Sequence, residues 1–176
     1  MTTYFGSSSH ISSTLVAAGY EYVNKHIAPA SGEIETARLW GGGHTAGPAD
    51  VRFVIFADNA GAPGALLGFS DTVNIPTSQA SAERTFTFAS PVPVVEGTPY
   101  WIGHHASAGF TLGAGDGGAT PYHYSSDAFG DGPSDPFGSS GSANGNPYSY
   151  EAGITVSDSG GGGSAGGGPL AVPACF

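Results

Sequence analysis

The chain is 176 residues long, the size of a single domain, with 30 glycines, 13 prolines and a formal charge of −10. Four lysines and arginines, scattered along the chain, exclude the basic stripe that nucleic acid requires. No apolar run approaches the ~18 residues of a membrane helix, and the lone cysteine, Cys175, excludes an intramolecular disulfide.

The first 19 residues read as an N-terminal arm. Residues 1–10 lack the basic and apolar stretches of a secretory leader, and Ser13–Gly19 has room for a turn of helix. From Tyr20 to Val156 short strand patterns alternate with turn chemistry. Tyr20–Ile27 leads into the turn Ala28-Pro29-Ala30-Ser31-Gly32, and Glu33–Trp40 follows. Gly41–Pro48 reads as a loop. Val51–Phe56 is apolar on both faces apart from Arg52, as a central strand would be. The turn Asp58-Asn59-Ala60-Gly61-Ala62-Pro63-Gly64 precedes a candidate strand over Leu66–Ile75, which stops at Pro76.

Arg84–Phe88 alternates with Phe86 and Phe88 inward, and Pro91 and Pro93 mark a sheet edge or connection. Tyr100–His105 and Tyr122–Tyr124 are further strands. Tyr148–Val156 has the clearest period of two, with Tyr148, Tyr150, Ala152, Ile154 and Val156 inward. Eight or nine short strands at regular spacing predict an all-β fold, an antiparallel β-sandwich with a jelly-roll-like arrangement, over residues 20–156. Beyond it, residues 157–168 form a Gly/Ser-rich linker and residues 169–176 a short apolar peptide. Leu170, Val172 and Phe176, spaced by Pro169 and Pro173, suit a tethered docking peptide, with Cys175 buried in that contact or paired with another chain; a disordered terminus is the alternative.

Several constellations bear on chemistry. Asp127, Asp131 and Asp135 recur every four residues in a Gly- and Pro-rich loop. They would serve either as hard oxygen ligands for a structural Ca²⁺ or as local Asx-turn stabilisers. Among six histidines, His104 and His105 are adjacent on a strand, so they leave opposite faces; one is expected in the core and one exposed. Gly162-Gly163-Ser164-Ala165-Gly166 and Gly113–Gly118 fit nucleophile-elbow and dinucleotide patterns without the strand or helix that either requires. Glu33 and Glu35 read as a solvated strand edge rather than a glycosidase pair. No catalytic set emerges, so no enzyme is expected. The aromatics Trp40, Tyr122, Tyr124, Phe129 and Phe137, at strand ends and in loops, are the candidates for stacking on a glycan or anchoring a protein, whereas Trp101 is expected in the core.

The turn motifs, taken in order, resemble a β-sandwich domain of minor tail and other virion proteins of tailed phages, especially those of actinobacteria. The residues that carry the likeness are Pro29–Gly32, Trp40, Asp58–Gly64, Gly97–Gly103 and, most specific, Asp131-Gly132-Pro133-Ser134-Asp135-Pro136-Phe137-Gly138. The likeness spans residues 20–156, and the fold it implies is similar to carbohydrate-binding jelly rolls. It implies a non-enzymatic virion component, a minor tail or capsid-decorating protein assembled in the host cytoplasm as a homo-oligomer within a larger particle. Its partners would be other virion proteins, reached through the C-terminal peptide. The alternative is a module that binds surface glycans on a host or in the environment.

Overall fold

Arg84 to Phe88 alternates as its composition demands: Phe86 and Phe88 are buried while Thr85 and Thr87 face solvent. In the computed structural model, which describes residues 1–115, 120–138, 140–145 and 147–156, this period of two builds strands throughout. In chain order they are β1 (Thr2–Gly6), β2 (Ser12–Val16), β3 (Tyr20–Ile27), β4 (Gly32–Gly43), β5 (Ala49–Asn59), β6 (Ala62–Phe69) and β7 (Val73–Ile75). They continue as β8 (Ala82–Val94), β9 (Pro99–Ala106), β10 (Phe110–Ala114), β11 (Thr120–Ser126), β12 (Ser140–Gly145) and β13 (Tyr150–Thr155). Every ladder between them is antiparallel.

Two sheets pack face to face. In the first, β4 pairs with β8 along one side and with β13 and then β10 along the other; β1 extends the sheet from β13 and β2 from β10. The second runs β12-β11-β3-β9-β5-β6, with β7 also on β5. Val51, Phe53, Ile55 and Ile102 of the second sheet meet Ile34, Leu39, Phe86, Tyr150 and Ile154 of the first in one dry core. The chain is an antiparallel all-β sandwich.

Four expectations need correction. Residues 1–19 are no arm: β1 and β2 belong to the first sheet, because β13 and β10 would otherwise leave backbone donors and acceptors unpaired. Ser12–Val16 is therefore a strand where a helical turn was expected. The Gly41–Pro48 loop is shorter than expected, since β4 continues through Gly43. There a Cβ would fall 1.9 Å from the Pro76 carbonyl oxygen, so only glycine lets the 76–81 segment pass so close. Leu66–Ile75 divides into β6 and β7, both served by β5. β12, all small and polar, has no strand signal of its own and forms by pairing with β11.

The β5–β6 hairpin closes on Ala60 and Gly61, both at positive φ (52° and 93°), the two-residue turn whose twist matches antiparallel strands. Pro63 and Gly64 belong to β6, so the turn is tighter than the seven residues that predicted it. Asp58 caps it, accepting the Gly61 N–H at 3.1 Å through Oδ2. Through Oδ1 it accepts the Trp101 indole N–H and pairs with Lys25, each at 2.8 Å. Burial alone would raise the Asp58 carboxyl; Lys25, Trp101 and Gly61 together hold it below its ordinary value.

Candidate functional site

β9, the middle of β5 and the first half of β3 are buried on both faces, and a sandwich interior covers only one. The other is covered by the segment from Asp127 to Gly138, which lies as a strap across the second sheet. Its start is fixed by the Asp127 N–H to the Gly19 carbonyl at 3.0 Å, and its end by the Phe137 N–H to the Gly64 carbonyl at 2.9 Å. Between them Phe129 lies under the Arg52 guanidinium, 4.3 Å from the ring centroid, with its other contact on the His105 ring. The Asp135 carboxylate accepts the Leu66 N–H at 3.0 Å. Phe137 completes a second apolar cluster with Val23, Val54, Phe56 and Trp101, meeting Phe56 edge-on at 5.0 Å.

Under the middle of the strap the environment turns polar. Glu21 of β3 is fully buried, and its carboxylate accepts the Ser134 N–H at 3.2 Å and the Ser134 hydroxyl at 2.7 Å. Burial pushes the Glu21 carboxyl up to about 7; the Ser134 hydrogen bonds oppose that rise and the Asp127 charge adds to it. His105 of β9, also fully buried, turns Nε2 to Asp127, 3.4 Å from its carbonyl oxygen and 3.7 Å from its Oδ2. Burial holds the His105 imidazole below its ordinary value, with the neighbouring Asp127 working the other way. Ligating atoms of Glu21, His105 and Asp127 all lie within 4.8 Å of one another.

This arrangement redistributes the aspartates expected to act together. Asp127 joins Glu21 and His105, whereas Asp131 is exposed in the single turn Phe129–Asp131 and Asp135 is committed to Leu66. Among the described residues no metal-scale group contains all three, because the strap is stretched across the sheet instead of curling into a loop around one point. His105 is likewise not the exposed member of its pair: the strap buries it. Glu21 and His105 carry no local signal for this role. Each sits at a strand position that would face water if the strap were elsewhere.

The aromatic candidates occupy three separate places. Tyr122 and Tyr124 are together, half-buried on the inner face of the second sheet, in a row of rings with Tyr20, Tyr22 and Tyr148. Tyr22 stacks between Tyr124 at 5.7 Å and the buried His104 at 5.5 Å. Trp40 lies on the outer face of the first sheet, stacked on His10 at 4.0 Å, beside a groove of about 400 Å³ lined also by Arg38, Glu83 and Glu151. Arg38 bridges both glutamates, at 3.3 Å to Glu83 and 2.8 Å to Glu151. Phe129 is held on the strap between Arg52 and His105, and Phe137, expected as an exposed ring, is instead buried in the second apolar cluster. Trp101 is in the core, as expected. Glu33 and Glu35 are both exposed on β4. The C-terminal candidates Leu170, Val172, Cys175 and Phe176 lie outside the described residues.

Compared with known proteins, the chain matches no family model and no curated sequence.

Proposed function

We propose that this chain is a non-enzymatic structural and interaction protein of a tailed-phage virion, a minor tail or capsid-decorating component. The ordered turn motifs suggest it, and one observation carries it: the most specific motif, Asp131–Gly138, is spent on architecture. Ser134, Asp135 and Phe137 each hold the strap to the sheet, through Glu21, Leu66 and the second apolar cluster. A segment used to rivet a sandwich shut suits a building block whose outer surfaces meet other proteins. In this reading the peptide 169–176, on its linker, docks on a neighbouring subunit through Leu170, Val172, Cys175 and Phe176. Truncation after Ser157 should leave a folded domain, seen by an unchanged β-type circular dichroism spectrum, that is absent from purified particles. Normal incorporation of the truncated protein would refute the docking role.

A second reading, a glycan-binding module, is favoured by the groove beside Trp40. There an aromatic ring stands next to a guanidinium and two carboxylates able to hydrogen-bond sugar hydroxyls. One face of Trp40 is already taken by His10, so a sugar would have to displace that ring or use the groove's polar wall. Saturable binding on a glycan array, lost in Trp40→Ala and retained in Tyr122→Ala, would place the ligand in this groove.

A further inference from the structure

We propose that Glu21, His105 and Asp127 form a binding site for a divalent cation of the zinc type, which fastens the strap to the second sheet. The three side chains come from β3, β9 and the first residue of the strap, far apart in sequence, and converge within 4.8 Å. Two of them are wholly buried.

The contacts within the cluster are not those of a finished hydrogen-bond network. Asp127 Oδ2 is buried and has no hydrogen-bond partner, and neither has His105 Nδ1. The 3.7 Å between His105 Nε2 and Asp127 Oδ2 is too long for a hydrogen bond. It is the right scale for two ligands on one ion, since donors about 2.0–2.2 Å from a tetrahedral centre stand roughly 3.3–3.6 Å apart. Two carboxyl groups and an imidazole packed within 4.8 Å of one another, two of them wholly buried, form a set of donors that a dication would satisfy together. Arg52, the nearest guanidinium, is already engaged by Thr72 at 3.0 Å and by the Phe129 carbonyl at 3.4 Å.

The donor set also selects the ion. Ca²⁺ and Mg²⁺ take oxygen ligands almost exclusively, whereas one imidazole with two carboxylates suits Zn²⁺ or a similar borderline dication. Zn²⁺ keeps four ligands, so a water or the Ser134 hydroxyl, 2.7 Å from Glu21 Oε2, would complete the shell. The role is structural: the ion joins the point where the strap leaves β11 to the start of β3 and the end of β9.

The test uses the full chain, stripped with chelator and titrated with Zn²⁺ alone, then with Mn²⁺ and Ca²⁺ as comparators. Calorimetry should give one equivalent of Zn²⁺, with a rise in melting temperature and slower protease cleavage within residues 127–138. Glu21→Gln and Asp127→Asn should each weaken binding by at least about 100-fold, while Asp131→Asn and Asp135→Asn leave it unchanged. Glu21→Gln also separates this role from plain folding. It retains a carbonyl for the Ser134 N–H and removes a buried charge, so metal-free it should melt no lower than the wild type yet lose the response to zinc. Absence of stoichiometric Zn²⁺ binding would overturn the proposal, as would binding that survives both Glu21→Gln and Asp127→Asn. Tight Ca²⁺ binding indifferent to His105→Gln would overturn the ligand set.

Discussion

His104 and His105 are neighbours in β9, yet they inhabit two different kinds of interior. His104 faces the space between the sheets, with the Tyr150 hydroxyl on its Nδ1 and the rings of Tyr22 and Phe110 against it. Burial pushes its imidazole down to about 3, and the adjoining His105 adds to the effect. His105 faces the strap, beside Glu21 and Asp127. The inner face is assembled from two rigid sheets and is closed by aromatic packing. The outer face is closed by twelve residues of non-repetitive chain; both interiors leave buried polar atoms unpaired, His26 Nε2 and His104 Nε2 between the sheets and His105 Nδ1 and Asp127 Oδ2 under the strap. A sheet buried on both faces thus has one side whose geometry the ladders impose and one that depends on where a single segment lies.

Cutting into each interior should expose that asymmetry most directly. Phe53→Ala removes a ring that touches Phe86, Phe88 and Tyr150 between the sheets, and should cost about 3–5 kcal/mol in urea unfolding. Phe137→Ala should instead release the strap: protease cleavage within residues 127–138 rises sharply while the sandwich keeps a single unfolding transition. Equal global losses from the two variants, with no local cleavage, would show that both faces belong to one cooperative unit.

Acidification sharpens the contrast by sign. His26, on the inner-face side of β3, is held neutral by burial, its pKa lowered to about 4 from 6.5. A base depressed in this way contributes stability that is full above pH 6.5 and disappears as pH falls from 6.5 towards 4. Glu21 on the outer face runs the other way: raised from 4.5 to about 7, it makes the fold less stable as pH rises through that window in metal-free buffer. The depressed His104 and His105 act with the same sign as His26, so a difference measurement is needed to isolate His26. The melting-temperature advantage of the wild type over His26→Gln should shrink steadily between pH 6.5 and 4; an advantage independent of pH would mean that His26 does not titrate as its burial implies.

Smaller effects test the ends of the strap and the opposite hairpin. Asp135→Ala removes the acceptor for the Leu66 N–H and should cost about 1 kcal/mol, with faster amide exchange at Leu66 as its signature. Ala60→Asn places a residue tolerant of positive φ at the first position of the β5–β6 turn, and should stabilise by up to about 1 kcal/mol. A loss of stability there would mean that the turn is held by something other than its backbone preference.

The all-β class and most strands were legible in the sequence, because period-two alternation and turn residues act over a few neighbours. Val51–Phe56, apolar on both faces, announced a strand covered twice, and Trp101 between Tyr100 and Ile102 announced a core position. Composition spoke less clearly where a strand exists only through its partner: β1, β2 and β12 owe their extended backbones to β13, β10 and β11. The candidate site lies at the far end of that scale. Asp127 was recognisable as a possible ligand, but its companions come from residues 106 and 22 positions away in the chain (127 − 21 and 127 − 105), at strand positions that look solvent-facing. Local rules determine which way a side chain leaves its strand. Only the tertiary structure decides what lies over it, since that depends on where a distant segment finds backbone partners and places for its two phenylalanine rings.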